Sequence, residues 1–228
     1  MFTHREDYHH LFGETLERID SPNGRKYLLE EKGIYLPSVT TVLSMISKPG
    51  IDKWRKRVGE EAADRKCLHA STRGTRLHTV HEYYLNNIDV STLKEYQVPL
   101  IKLMFSGSRS KLDQHVDVIY QQETQMFSER LGVAGTVDLI CEFDGELAVV
   151  DFKTSEKVKP EKYLENYFVQ LSAYWAMFSE KTGLVPKKLV VFLVTEAGEV
   201  QIVERTNIMH YLKKLREYVN QFNQSQNA

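Results

Sequence analysis

Two aspartates and a lysine interrupt the apolar segment GTVDLICEFDGELAVVDFK, residues 135–153. Asp144-Gly145 divides it into two runs, and Asp-Gly suits a two-residue hairpin turn of type I′, which needs positive φ at both central residues. With that turn Phe143 faces Glu146. Counting outward along a regular ladder then sets Asp138 opposite Asp151, in a non-hydrogen-bonded pair where side chains come closest. Period-two alternation places Lys153 on the face of Asp151 and turns Val150 and Phe152 to the other face. On the partner strand Val137, Leu139 and Cys141 point away from Asp138, so Cys141 is expected to be a buried, inert thiol.

Two carboxylates with Cβ atoms about 5 Å apart repel each other. At an effective dielectric of about 20 the repulsion is roughly 3 kcal/mol. A shared proton relieves it in acid proteases; a divalent cation relieves it elsewhere. Lys153 favours the cation, because an ammonium beside a carboxylate–metal cluster can orient water and stabilise phosphate charge. The plainer alternative is an Asp–Lys ion pair on an edge strand.

Other residues of the right chemistry lie on either side. His78 and Glu82 are four apart, on one helical face, in RGTRLHTVHE, residues 73–82. Gly74, read at a helix start, would let a phosphate approach free backbone amides. Glu123 stands among Gln121, Gln122 and Gln125, and Gln170 and Tyr174 share a face of a later helix. Each has a bland reading: a packed histidine, a solvent-facing glutamate, an aromatic helix face on a sheet. Between Lys53 and Arg76 the eight residues Lys53, Arg55, Lys56, Arg57, Arg65, Lys66, Arg73 and Arg76 oppose Glu60, Glu61 and Asp64, a local excess of five positive charges. That run is either a solvated face or a stripe that meets phosphates.

The elements that must hold these residues follow from periodicity. Residues 16–36 read as a hairpin turning at Ser21-Pro22-Asn23-Gly24. Ser38 is an N-cap for a short helix carrying Val39, Val42, Leu43 and Ile46, which Pro49-Gly50 should break. Basic helices are expected at about 51–58 and 60–70, a helix from Ser71 with Leu77, Val80, Tyr84 and Leu85 as its stripe, and another at 91–107. The period then changes. Residues 116–127, 134–143 and 146–153 read as three antiparallel strands, followed by a helix at 160–181, strands at 188–195 and 199–204, and a helix at 206–222 ending in a frayed QSQNA tail. The fold class is α/β (α+β), a mixed central sheet flanked by helices.

Composition narrows the classes. A chain of 228 residues with 42% hydrophobic and 27% charged residues suits one soluble domain. It has no apolar run of membrane-spanning length, and MFTHREDYHHLFGE lacks a secretory layout. Cys67 and Cys141 are too few for a disulfide framework, a four-thiolate zinc site or an iron–sulfur cluster, which points to a reducing, cytoplasmic setting. The net charge of −1 does not by itself announce a nucleic-acid partner.

In order, Gly74…His78, Glu123, Gly135-Thr136-Val137-Asp138, Asp151-Phe152-Lys153 and Gln170…Tyr174 resemble the RecB-like branch of the PD-(D/E)XK nucleases. The likeness extends to its phage-type and mitochondrial genome-maintenance exonucleases, where a Pro-Ser-Val-Thr segment (here Pro37 to Thr40) also precedes the helices. It spans roughly residues 36–180. Val137 stands where the family name has Pro, and Asp151 where Glu is commoner, both usual in this branch. The resemblance implies a restriction-endonuclease-like fold and hydrolysis of DNA phosphodiester bonds, starting from DNA ends. His78, Asp138, Asp151 and the carbonyl of Phe152 would ligate Mg²⁺, with Mn²⁺ able to substitute, and Glu123 would support the metal. Lys153 would position the attacking water, and Gln170 and Tyr174 would hold the lysine strand and the DNA backbone. Ser71, Arg73, Gly74, Thr75 and Arg76 are the expected DNA contacts. A single nuclease domain would then comprise a helical DNA-entry region at about 36–110, arching over the site, a catalytic core at 111–205, and a C-terminal helix and tail at 206–228. A structure-selective endonuclease with the same centre, a non-catalytic DNA-binding module of the same fold and an acid–base hydrolase of another substrate remain alternatives.

Overall fold

The computed structural model describes residues 1–13, 16–22 and 24–226. Its centre is a six-stranded mixed sheet in the order β1-β5-β6-β7-β8-β9, formed by β1 (Thr3–His4), β5 (Val116–Ser128), β6 (Val133–Phe143), β7 (Glu146–Ser155), β8 (Lys188–Thr195) and β9 (Val200–Arg205). The strands β5, β6 and β7 form the expected antiparallel meander, β8 joins β7 in parallel, and β9 closes the far edge antiparallel. At the other edge β1 adds in parallel to β5, a pairing not anticipated.

Among the described residues five α-helices accompany this sheet: α1 (Val39–Val58), α2 (Glu60–Leu85), α3 (Pro99–His115), α4 (Glu165–Thr182) and α5 (Ile208–Gln226). Two apolar cores cover its faces. Val149, Leu189, Val191 and Leu193 pack under α4 and α5, while Val150, Phe152, Val190 and Phe192 pack under the C-terminal half of α2 and α3. Strand β8 reads KLVVFLVT and is buried along its whole length, as a strand covered on both faces should be.

The hairpin at residues 16–36 acquires a third strand, giving a small antiparallel sheet of β2 (Leu16–Ser21), β3 (Gly24–Leu29) and β4 (Ile34–Pro37). Asn23 of the expected turn, and Asn227 and Ala228 of the expected tail, lie outside the described residues. The helix α5 extends through Gln226, beyond the boundary at 222 set by periodicity.

Three helix boundaries differ from expectation. Pro49-Gly50 does not break α1, which continues through both; they are exposed, so water can meet the carbonyl that Pro49 leaves without a donor. No helix begins at Ser71, because α2 runs unbroken from Glu60. The helix expected at 91–107 lies at Pro99–His115, with Pro99 in its first turn, where its missing N–H is harmless. Gly107 inside α3 is explained by packing, since a Cβ there would lie 1.8 Å from the carbonyl oxygen of Gly198 in the β8–β9 turn.

Between Ser44 and Thr72 only Ala63 is buried. The second half of α1 and the first half of α2 therefore form a projecting helical arm, with Gly59 (φ 87°) at its bend. Among the described residues no helix is long and apolar enough to cross a membrane.

Candidate active site

The Asp144-Gly145 turn has φ of 52° and 74°, as a type I′ turn requires, and Phe143 faces Glu146. The ladder runs from that pair to Leu139–Val150 and stops one residue short of the two aspartates. There the Asp138 side chain takes over from the backbone, as Oδ2 accepts the N–H of Phe152 at 2.8 Å. The two carboxylates thus have different partners and do not simply oppose each other.

Asp151 is 1% exposed. Its Oδ2 lies 2.7 Å from Lys153 Nζ, and its Oδ1 accepts a hydrogen bond from Gln170 Nε2 at 3.1 Å. Gln170 Oε1 lies 3.4 Å from Lys153 Nζ, so one amide on α4 bridges both ends of the pair. Burial pushes the Asp151 carboxyl up despite the attraction of Lys153. Burial opposes the charge on Lys153, but Asp151 and then Asp138 outweigh it, holding the ammonium above its usual range.

A second group gathers around His78. Its Nε2 meets the Phe152 carbonyl at 2.9 Å, while Nδ1 lies 3.7 Å from Asp138 Oδ1 and 3.9 Å from Glu123 Oε1. One donor atom from each of His78, Glu123 and Asp138 falls within 4.8 Å of the others, close enough for all three to hold one cation. Burial works against a charged imidazole here, yet Asp138 and Glu123 raise its pKa to about 9. An imidazole with two carboxylates suits Mn²⁺ or Mg²⁺ chemically. Of the five expected ligands, three converge. Asp151 is committed to Lys153 and Gln170, and the Phe152 carbonyl to His78.

Glu123 reaches this point through an irregular backbone. Its φ is +46°, in the left-handed region that a non-glycine residue seldom adopts. The flanking pairs Gln122–Leu139 and Thr124–Val137 set Glu123 level with Asp138. Such outliers gather where a side chain must be re-aimed, and a glutamate among glutamines gave no hint of it. The same irregularity accompanies a departure from alternation. Leu139 and Cys141 share the core under α2 and α3 as expected, but Val137 joins the core under α4. Cys141 is buried, and burial pushes its thiol well up, in keeping with an inert group.

Tyr174 is buried, its hydroxyl 3.5 Å from Gln170 Nε2. It packs closely against the start of β6: a Cβ on Gly135 would lie 2.8 Å from its hydroxyl oxygen and 2.9 Å from a ring carbon. The glycine of the Gly-Thr-Val-Asp string is therefore a packing requirement.

His78, Glu123, Asp138, Gln170 and Tyr174 line a cavity of about 430 Å³ whose walls come from β2, β3, α1, α2, β5, β6 and α4, while Asp151 and Lys153 lie outside its lining. Gly74, Thr75, His78 and Glu82 line the α2 side. Because α2 is continuous, the amide of Gly74 lies in a helix interior and offers no free N–H, which corrects the expected anion cradle. Ser71 and Arg76 are exposed and outside the cavity lining. Arg73 is 5% exposed, donates to Thr154 Oγ1 at 3.1 Å and pairs with Glu196, so it ties α2 to the sheet instead of facing solvent. Lys53, Lys56, Arg57, Lys66 and Arg76 have no acidic partner among the described residues, whereas Arg55 and Arg65 pair with the acids of the same stretch.

Arg18 and Arg25, on the opposite wall, escaped the sequence reading. Asp20 binds both, at 2.9 Å each. The pairing of Ser21 with Gly24 sets Asp20 and Arg25 as cross-strand partners. Thr41 clips α1 to β3, accepting the N–H and donating to the carbonyl of Arg25, both at 2.8 Å, while Ser38 Oγ caps the helix by accepting Thr41 N–H at 3.0 Å.

Comparison with known proteins gives the family of the chain. The sequence profile of the PD-(D/E)XK nuclease superfamily matches residues 52–227. Mitochondrial genome maintenance exonuclease 1 of Homo sapiens is 30% identical over 184 residues, covering 73% of this chain and 52% of the human protein. Its Mus musculus counterpart is 26% identical over 133 residues, 55% of this chain and 38% of the mouse protein. The chain thus spans about half the length, or less, of these curated relatives. Among solved structures, a putative exonuclease from Eubacterium rectale superposes with a TM-score of 0.43 at 13% identity, over 64% of this chain and 63% of that one. A phage related exonuclease from Haemophilus somnus gives 0.36 at 10%, over 68% and 83%. By the profile match over most of its length, on a mixed sheet carrying Asp138, Asp151 and Lys153, the chain belongs to the PD-(D/E)XK nuclease superfamily.

Proposed function

We propose that the protein is a metal-dependent DNA exonuclease that hydrolyses phosphodiester bonds from DNA ends. The observation that carries this reading is the convergence of His78, Glu123 and Asp138 within 4.8 Å on the lining of one cavity, with the 2.7 Å Lys153–Asp151 pair behind it, joined to the lining by Gln170. His78, Glu123 and Asp138 would hold a divalent cation, Mg²⁺ or Mn²⁺. When bound, such an ion supplies charge neutralisation for the phosphate and a more acidic water.

The residues of the chain supply the rest. Lys153 carries a positive charge beside the metal-binding residues, where it donates to a phosphate oxygen or orients the attacking water. Asp151 keeps that ammonium charged and aimed. Gln170 fixes both by using its carbonyl toward one and its amide toward the other. Tyr174 stays a neutral donor, because burial first and then the two aspartates raise its phenol pKa well above the usual range. The half of α2 with His78 and Glu82 closes one side, and the exposed cations of the arm would guide a strand end toward the site. Within one nuclease domain, this assigns DNA entry to the helices before residue 110 and chemistry to the sheet.

End-labelled single- and double-stranded DNA, incubated with Mg²⁺, Mn²⁺ or excess chelator, tests the proposal. Expected are end-shortened products with either metal and none in chelator. Undiminished cleavage in chelator refutes the metal site. Cleavage of a covalently closed circular single strand would instead assign the same centre to an endonuclease.

A further inference from the structure

The segment between β7 and α4 carries a lysine that the site described above does not use. Lys159 is held by its backbone: its N–H donates to Gln201 Oε1 at 2.9 Å, and its carbonyl accepts from Gln201 Nε2 at 2.8 Å. One β9 side chain thus clasps both polar groups of a single loop residue. The Lys159 side chain is half-buried and has no acidic partner among the described residues. Its Nζ donates to the hydroxyl of Tyr167 at 2.9 Å.

Tyr167 is also the neighbour of Lys153, whose Nζ lies 5.0 Å from the centre of the ring. Lys159 Nζ lies 5.2 Å from that centre. Since it also sits 2.9 Å from the hydroxyl, this ammonium is at the hydroxyl edge and acts by hydrogen bonding. Lys153, which has no hydrogen bond to that hydroxyl, feels the ring. A cation beside an aromatic face is attracted to it without losing its donors. Lys153 is thereby confined by Asp151, Gln170 and Tyr167, while its side chain stays 21% exposed.

We propose that Tyr167 is a positioning residue for Lys153, and that Lys159, fixed against the same tyrosine, is a further cation for a backbone phosphate of the substrate strand. This rests on the nuclease reading above. A lysine held by a two-point backbone clasp, free of acids and tied to the aromatic neighbour of Lys153, suits a polyanion that extends beyond the cleaved bond. The two ends of Tyr167 therefore do different work, the ring on turnover and the hydroxyl on substrate binding.

The test measures kcat and KM on end-labelled single-stranded DNA with Mn²⁺, together with binding against salt and the melting temperature. The variants are Tyr167→Leu, Tyr167→Phe and Lys159→Gln in the full chain. Tyr167→Leu should lower kcat about tenfold, the scale of a desolvated cation–aromatic contact. Tyr167→Phe keeps the ring and should restore most of kcat while raising KM. Lys159→Gln should raise KM more than it lowers kcat, and reduce the salt slope by about one unit, as loss of one phosphate contact does. A purely structural tyrosine would instead lower the melting temperature and shift kcat and KM together in both tyrosine variants. Equal kcat in the two tyrosine variants overturns the positioning role, and a parental KM and salt slope in Lys159→Gln overturns the phosphate contact. A parent chain that cleaves no DNA with either metal overturns the nuclease reading as well, whereas an active parent with unresponsive variants overturns this inference alone.

Discussion

At the residue scale, the two aspartates that look alike in sequence are treated oppositely by the fold. Asp138 is half-buried beside His78, whereas Asp151 is sealed against Lys153. Burial disfavours the Asp151 charge, so Asp151→Asn removes a desolvation penalty together with an ion pair. Its metal-free stability should stay within about 1 kcal/mol of the parent. Activity should still fall about a hundredfold or more, as when a positioned electrostatic group is lost. Lys153→Met leaves the buried carboxylate alone and should cost roughly 1–3 kcal/mol, below the full unpaired-charge penalty because Asp151 can take up a proton. Urea unfolding in chelator distinguishes the two, and equal losses would contradict the asymmetry. Gly135→Ala should push Tyr174 off the start of β6 and destabilise by about 1–3 kcal/mol, the usual effect of overpacking. A melting temperature equal to the parent's would show that Tyr174 moves freely. The pair Asp138/Asp151 and the lysine were legible from alternation around a recognisable turn. The left-handed backbone at Glu123 was not, because it is a tertiary demand on a residue with no local preference for it.

At the element scale, α2 has two characters. Its first half stands away from the core beside the cation-bearing end of α1, while its second half is packed on the sheet and carries His78. Arg73 marks the join, and its bonds to Thr154 and Glu196 anchor the helix to β7 and the β8–β9 turn. Arg73→Met should therefore lower stability by roughly 1–3 kcal/mol, as breaking a partly buried pair does. Arg76→Ala should leave the fold intact and lower the salt slope of DNA binding by about one unit. If Arg73→Met unfolds at the parental urea concentration, the anchor is dispensable. The split could not be read from the sequence, since a helical period says which residues share a face but not what that face meets. Pro49 and Ser71 misled for the same reason: local breakers and caps are weak where solvent or the rest of a long helix satisfies the backbone. By contrast the meander β5–β6–β7 was readable, because alternation and an Asp-Gly turn act within a few residues.

At the scale of the whole molecule, apolar cores cover both faces of the central sheet, and a histidine is buried beside one of them. His81 on α2 is fully buried, its Nε2 2.8 Å from Ser108 Oγ, and burial, helped by the charge of His78, lowers its pKa to about 3. An unfolded histidine titrates near 6.5. Between about pH 6.5 and 3 the unfolded chain binds a proton that the folded chain refuses. The contribution of His81 is thus complete above about 6.5 and lost progressively as the pH falls toward 3. His81→Leu should flatten the stability profile across that window relative to the parent, by up to a few kcal/mol at its acid end. Parallel profiles for the two proteins would show that His81 is protonated in the fold. The order of the outer strands β1, β8 and β9 was not legible, since edge placement depends on packing among distant segments rather than on any one of them.

The projecting arm has a practical consequence for spectroscopy. Of the two thiols, Cys141 is buried in the sheet and Cys67 is exposed on the arm half of α2. A maleimide fluorophore applied to the native protein should therefore add once, at Cys67, and a second time only in denaturant, which intact mass measurement can count. A dye there sits on a largely unburied helical arm, so its anisotropy reports the arm directly. A fall in its mobility on adding oligonucleotide, absent for an uncharged polymer of equal length, would make the unmodified sequence its own sensor of strand capture.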